Sequence, residues 1–266
     1  MKKISIIGYG ALGKILTRAV LEKLEYAYEI AGIYDQAKID APQAGAKPIH
    51  VYTTFEELLK DDADIVVEIA GVGAVRAYGQ KVLAAKKDLI ITSVGALADD
   101  RLYVDLRKAA EKNGRRIHIP SGAVGGFDII RTIALMGGAD VEIESTKAPK
   151  SLNGAPYLEE RVLPADEKRE IFAGDARAAI AGFPKNTNVA VATAITGVGV
   201  EKTRVRIISD PEAAGNTHRI HAENERAAAD IAITSKPDPA NPKSSVTAAW
   251  SVAALLADLA SPVRFF

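Results

Sequence analysis

One short segment constrains this chain more than any other. The apolar run Ile4–Ile7 stops at Gly8 and passes into Gly8-Tyr9-Gly10-Ala11-Leu12-Gly13. These glycines fit G-x-G-x-x-G directly after a predicted strand and at the opening of a predicted helix, the context that makes a common glycine pattern a phosphate-binding turn. Each glycine has a separate reason to be there. Gly8 permits the tight turn, Gly10 lets backbone N–H groups approach a pyrophosphate, and Gly13 lets the helix pack closely on the strand. The helix starting at Ala11 offers the positive end of its dipole to the phosphates. Asp35 closes the second predicted strand, 35 − 13 = 22 residues after Gly13, where the acidic residue of such a unit binds the adenosine ribose. A carboxylate there accepts from both ribose hydroxyls and repels a 2′-phosphate. That favours NAD, while Lys38 nearby leaves NADP open.

The pattern that follows extends the turn into a domain. Leu12, Ile15, Leu16, Ala19, Val20 and Leu24 fall at the spacing of an amphipathic helix. Short apolar runs predict further strands at Glu29–Tyr34, Val51–Thr53, Asp64–Ala70, Asp88–Val94 and Arg115–Ile119. Helical patterns separate them at Phe55–Lys60, Ala74–Lys86 and Asp99–Asn113, the last with Gly114 placed to cap it. Strands alternating with helices imply βαβ units, a parallel sheet and right-handed crossovers, hence an α/β, doubly wound Rossmann-type domain. Ligands bind at the carboxyl ends of such strands. The small residues at those ends, Ala70, Gly71, Ser93, Ser121 and Ala123, are therefore either cofactor contacts, alongside Gly8, Gly10, Ala11, Leu12, Gly13 and Asp35, or ordinary turns.

After about residue 120 the texture changes. A helix is predicted at Phe127–Met136, an alternating strand at Val141–Thr146, a charged helical stretch at Leu163–Ala181 and a small-residue helix at Asn186–Thr196. Strands follow at Thr203–Ile208, Thr217–Glu223 and Asp230–Thr234. Their alternation predicts an antiparallel sheet with one wet face, in a second, smaller α+β domain. Lys236–Pro242 reads as a Pro-rich linker, and the apolar helix Ser244–Leu259 needs a surface to cover. The expected division is 1–120 plus 240–266 for the dinucleotide domain and 121–239 for the second.

Charge and composition narrow the chemistry. Lys plus Arg number 34 and Asp plus Glu 34, so the net charge is zero, which argues against a nucleic-acid or membrane-surface partner. No cysteine means no disulfide, thiol nucleophile or thiolate metal site. Lys2 and Lys3 precede too short an apolar run for a secretory signal, and no window approaches the ~20 apolar residues of a membrane span, so a cytoplasmic protein is expected. Metal-binding spacings and a G-x-S-x-G nucleophile elbow are lacking, so no metal is expected. Of four histidines, His50 and His118 read as structural. His218 and His221 lie on one predicted strand facing opposite ways, His218 with Ile220 and Ala222, His221 with Arg219 and Glu223. On these grounds His218 is either a satisfied core histidine or a catalytic one beside a cleft.

Five stretches together carry a resemblance: IIGYGALG near the start, IPSGAVGGFDIIR at 119–131, GFPKNTNVAVA at 182–192, GNTHRI at 215–220 and KSSVTAAWSVAALLADLASP at 243–262. In this order and spacing they resemble the NAD(P)-dependent L-aspartate dehydrogenases over nearly the whole chain. The resemblance implies oxidative deamination of L-aspartate to oxaloacetate and ammonia through iminoaspartate, reversible, with a supply of iminoaspartate for NAD synthesis as one use. It implies that His218 is the catalytic histidine, that Ala123 and Asn188 touch the nicotinamide end of the cofactor, and that the protein is a homodimer. A dicarboxylate needs cations and hydrogen-bond donors, for which Lys147, Lys185 and Asn186 are the candidates. The alternatives are another amino-acid-pathway dehydrogenase of the homoserine dehydrogenase or dihydrodipicolinate reductase type, and a non-catalytic NAD-sensing module.

Overall fold

A computed structural model describes residues 1–44, 47–159, 161–236 and 246–264. Strand β1 (Lys2–Ile7) turns at Gly8 into α1 (Ala11–Lys23), and the chain returns through β2 (Tyr28–Tyr34). A small hairpin, β3 (Gln43–Ala44) with β4 (Lys47–Pro48), and the helix α2 (Phe55–Lys60) precede β5 (Ile65–Glu68). Then come α3 (Val72–Ala84), β6 (Asp88–Ile91), α4 (Asp100–Asn113) and β7 (Ile117–His118). The sheet runs β2-β1-β5-β6-β7 with every pair parallel. The chain leaves β1 towards β2 and comes back across it to β5, so the crevice at the carboxyl ends of β1 and β5 is the topological switch point where such sheets take ligands.

Both faces of this sheet are covered, as a doubly wound fold requires. Ile4, Ile6, Val67 and Ile90 pack with Leu16 of α1 and with Ala249, Val252 and Leu256 of the last helix, α9 (Val246–Ala260). The Tyr28 hydroxyl donates to the Leu256 carbonyl at 2.8 Å, fixing α9 to the first strands. Towards α3, Gly79 is the point of closest approach: a Cβ there would meet Leu106 at 2.9 Å and Leu89 at 3.5 Å. Gly114 ends α4 in the left-handed conformation, at φ 63°. The expected strand at Val51–Thr53 is reduced to one bridge, Ile33 with Val51. The run is too short to extend the ladder before Thr54 caps α2 by accepting the Glu57 N–H.

The second unit begins with α5 (Phe127–Met136) and β8 (Asp140–Lys147). It continues through α6 (Pro149–Leu152), β9 (Arg169–Asp175), α7 (Ala176–Gly182), α8 (Asn188–Thr196), β10 (Arg204–Ser209), β11 (Asn216–Glu223) and β12 (Ala228–Ser235). Its sheet order is β12-β11-β8-β10-β9. Two expectations are corrected here. The charged stretch Leu163–Ala181 is not one helix: Arg169–Asp175 forms an edge strand, because Asp175 caps α7 and Glu170 pairs with Arg206 across the sheet. The sheet is also mixed, since β8 and β10 run parallel while the other pairs are antiparallel. Three helices, α6, α7 and α8, lie between those parallel strands in sequence, and α8 supplies the crossover cover.

The chain divides into compact units Met1–Gly122 with Ala248–Phe266, and Ala123–Thr247. The Pro-rich segment at 236–242 lies, beyond Lys236, outside the described residues. No helix among the described residues is long and apolar enough to cross a membrane.

Candidate active site

In the first unit the glycine turn is built by close backbone approach. Gly8 has φ 104°, and a Cβ on it would meet Ala70 at 2.8 Å. A Cβ on Gly13 would overlap the Gly8 carbonyl oxygen, so this position joins helix to strand only as glycine. Gly10 is different: a Cβ there would meet nothing within 4 Å, so the space above it is open. Gly10 begins α1 without a side-chain hydrogen bond, which leaves the N–H groups of the first turn at Ala11, Leu12 and Gly13 free of a capping side chain. An open approach lined by such donors suits the phosphates of a dinucleotide. Asp35 stands beside it, accepting from the Tyr9 N–H at 2.6 Å and the Ala37 N–H at 2.8 Å, so the ribose-side carboxylate also fixes the turn.

A residue that sequence reasoning passed over organises the rest of this edge. Glu68, the last residue of β5, is buried, and its carboxylate accepts from the N–H groups of Ala70 (2.9 Å) and Gly71 (2.8 Å). It also accepts from the Ser93 N–H (3.1 Å) and hydroxyl (2.9 Å). One carboxylate thus ties together the loops after β5 and β6, the two loops expected to line the cofactor. Burial pushes its pKa up, opposed by those four hydrogen bonds. The only sequence signal was an acidic residue in an otherwise apolar strand. Ser121 is half-buried after β7, and the Gly122 N–H beside it donates to the Ser251 hydroxyl of α9 at 3.0 Å.

In the second unit the polar groups come from strands far apart in sequence. β8 alternates buried and half-exposed positions, with Val141, Ile143, Ser145 and Lys147 on the covered face. His218 of β11 pairs in register with Ser145, and the Ser145 Oγ lies 2.8 Å from the His218 Nδ1. His218 is buried, and burial, with the Lys147 charge second, pushes its pKa down to about 3. The imidazole is neutral at ordinary pH. Burial likewise brings Lys147 down to about 8. Lys87, the other buried lysine, shows what that position normally requires: its ammonium reaches the Asp61 carboxylate (2.6 Å), the Asp61 carbonyl (2.7 Å) and the Ala63 carbonyl (3.0 Å). Among the described residues no hydrogen bond or ion pair reaches the Lys147 ammonium.

The remaining expected residues are more scattered. Ala123 is buried ahead of α5, and Asn188 opens α8, half-buried. Lys185 is exposed and Asn186 half-buried in the turn between α7 and α8, where the Asn186 N–H donates to the Phe183 carbonyl. No side-chain hydrogen bond or ion pair ties either of them to the His218 cluster. His221, on the opposite face, pairs with Asp230 at 2.7 Å and lines a groove of about 210 Å³ with Glu142, Glu144 and Arg219. Among the described residues no group of three His, Cys, Asp or Glu could hold a metal ion.

Comparison with known proteins covers the whole chain. Residues 128–259 match the family model described as aspartate dehydrogenase, C-terminal, and residues 8–120 match homoserine dehydrogenase, NAD binding domain. The chain is 37% identical to an L-aspartate dehydrogenase of Methanocaldococcus jannaschii, with 99% of each chain covered. It is 36% identical to an L-aspartate dehydrogenase 2 of Bordetella pertussis, over 96% of this chain and 95% of that one. Among solved structures, aspartate dehydrogenase from Thermotoga maritima aligns over 100% of both chains, with 28% identity and a TM-score of 0.81.

Proposed function

From the fact that this chain belongs to the aspartate dehydrogenase family, we infer that it oxidises L-aspartate with a pyridine nucleotide, giving oxaloacetate and ammonia through iminoaspartate. The turn at Gly8–Gly13 fits the dinucleotide, because Gly10 leaves open room where Gly8 and Gly13 leave none. Gly8, Gly10, Ala11, Leu12, Gly13 and Asp35 would hold its adenosine diphosphate portion. Ala70, Gly71, Ser93, Ser121, Ala123 and Asn188 are assigned to the nicotinamide end. When bound, the nicotinamide supplies a hydride acceptor for the substrate's α-carbon.

The chain's own side chains account for the rest. Loss of hydride from Cα and a proton from the amine leaves a C=N bond, which water must attack. A neutral imidazole takes that water's proton, and His218 is held neutral by its burial and by Lys147. In the tautomer whose Nδ1–H donates to the Ser145 hydroxyl 2.8 Å away, the Nε2 lone pair is left to serve as the base. Oxygen adds to carbon, the carbinolamine forms, and the same imidazole then returns the proton as ammonia departs. In the reverse direction it protonates the leaving hydroxyl. Lys147 holds a substrate carboxylate, with Lys185 and Asn186 as further candidate contacts.

The observation that carries the substrate reading is the Lys147 side chain, buried and without a counter-charge, beside a neutral histidine. A buried cation in that state calls for an anion. Absorbance of the reduced cofactor, followed with a panel of amino acids and both NAD and NADP, tests it. Turnover on L-aspartate is expected, and turnover of a monocarboxylic amino acid in its place removes the reading. Asp35 favours NAD, so a higher kcat/KM with NADP would remove that preference. The family reading also carries a homodimer, for which the charged open face of the second sheet offers a surface. Sedimentation equilibrium showing only monomer would dispose of it.

A further inference from the structure

A buried hydroxyl without a partner stands next to a lysine without an ion pair on the covered face of the second sheet. Ser209 ends β10 and pairs in parallel register with Lys147, which ends β8. Paired positions on adjacent strands project to the same side of a sheet, with the strands about 4.8 Å apart. The alternation of β8 identifies the side: Ile143, Ser145 and Lys147 are its buried positions, and Val205, Ile207 and Ser209 of β10, all buried, are their register partners. Ser209 is fully buried, and among the described residues its hydroxyl is one of three buried side-chain polar atoms with no hydrogen-bond partner. The other two, on Thr92 and Arg115, belong to the first unit. Lys147 lies beside Ser209, its side chain buried for most of its length and its ammonium without a hydrogen bond or ion pair among the described residues.

The backbone and the nearest acid at this corner are already engaged. The Lys147 carbonyl accepts the Asp210 N–H at 2.9 Å. The Asp210 carboxylate accepts the Glu212 N–H and faces Lys168 at 3.3 Å. What stays open is one ammonium and one hydroxyl, two positions along β8 from the serine that holds His218. Leaving the hydroxyl buried and unmatched costs stability, and a single group with two acceptor oxygens and a negative charge matches it and the ammonium at once. A carboxylate has that form.

We propose that Ser209 and Lys147 together form a carboxylate clamp, in which the ammonium takes one oxygen of the substrate and the Ser209 hydroxyl donates to the other. Ser209 is thereby a substrate-binding residue, and the identity of its ligand as L-aspartate rests on the dehydrogenase reading above. The clamp lies on the same covered face as His218, so a dicarboxylate held there is anchored beside the base.

The test measures two things on the same variants: calorimetric binding of succinate, an unreactive dicarboxylate, to the full chain saturated with NADH, and the KM for L-aspartate. Ser209→Ala is expected to weaken succinate and raise KM by about tenfold each, the loss of one hydrogen bond to a charged group, while the NADH Kd holds. Ser209→Thr, which keeps the hydroxyl, is expected to recover most of both. The Ala variant is also expected to melt no lower than wild type, since it removes a hydroxyl with no partner in the free protein. A hydroxyl with a purely structural role would lower the melting temperature instead. Wild-type protein that fails to bind succinate, or an Ala variant with unchanged succinate affinity and KM, overturns the clamp. Ser209-dependent succinate binding in a protein that does not oxidise aspartate keeps the clamp and overturns the dehydrogenase reading.

Discussion

The proposed cofactor site in the first unit and the proposed substrate site in the second are built in opposite ways. The cofactor edge is made of backbone: Gly8, Gly10 and Gly13 matter for the side chains they lack, and Glu68 acts by gathering N–H groups. The substrate side is made of side chains, Ser145 and Lys147 from β8, Ser209 from β10 and His218 from β11, brought together by strand register. A backbone site is written into one continuous stretch, because local turn geometry decides it. A side-chain site on a sheet is decided by which strands become neighbours. The two should therefore fail differently when altered, one in cofactor affinity and the other in turnover.

The largest separation is expected from His218→Ala. Losing a general acid–base group typically costs 10²- to 10⁴-fold, so kcat is expected to fall about 10³-fold. NADH affinity, measured by fluorescence titration, should stay within twofold, a margin of about 0.4 kcal/mol. A variant that keeps wild-type turnover would return His218 to the core. Gly13→Val should produce the opposite pattern. Its Cβ overlaps the Gly8 carbonyl, so α1 must move off β1, and backbone donors displaced by even about 1 Å can cost on the order of 10²-fold. The loss is expected in cofactor affinity, with the second unit's melting unaffected in a domain-resolved scan. Unchanged NADH binding would show that the turn does not hold the dinucleotide.

What could be read from the sequence follows the same division. The glycine turn, the parallel strands, Gly114 as a helix cap and the alternation that buries His218 and exposes His221 are all local patterns. Lys147 could be proposed only as one of several cations, because nothing local says that its ammonium finds no acid. Ser145 and Ser209 carried no signal at all. Each is an ordinary serine in an alternating strand, and only the pairing with His218 and Lys147 gives it a partner or an unmatched neighbour. The edge strand Arg169–Asp175 reads locally as helix for the same reason, since its stabilising partner Arg206 lies on another strand. Glu68 was visible but unread, an acid whose four donors come from loops the strand pattern could not position.

Glu68 gives an intermediate test of whether the backbone site has a side-chain organiser. Glu68→Gln keeps the shape but turns one acceptor into an NH₂ group facing N–H donors. Losing one or two charge-assisted hydrogen bonds of this kind is worth about 1.5–3 kcal/mol each, much of it spread over folding as well as binding. NADH affinity is expected to drop about tenfold, with kcat at saturating cofactor within a factor of two. If affinity is unchanged while the melting temperature falls, Glu68 holds the loops together without placing them for the cofactor.

Stability against pH affects no step of turnover, and its sign distinguishes the two units once more. His218 has an ordinary pKa of 6.5 in the unfolded chain and about 3 when folded. Between those values the unfolded state binds more protons, so folding stability is full above pH 6.5 and drains as pH falls towards 3. Lys147, at about 8 folded against an ordinary 10.5, gives the same sign in a second window, with stability rising as pH climbs from about 8 to 10.5. Glu68 has the reverse sign: its folded pKa lies above the ordinary 4.5, so acid relieves it. Denaturant melts should therefore show acid destabilisation below pH 6.5 that flattens in His218→Ala, and an alkaline gain that flattens in Lys147→Met. A slope left intact by His218→Ala would mean that the buried histidine is not the group the protein keeps neutral.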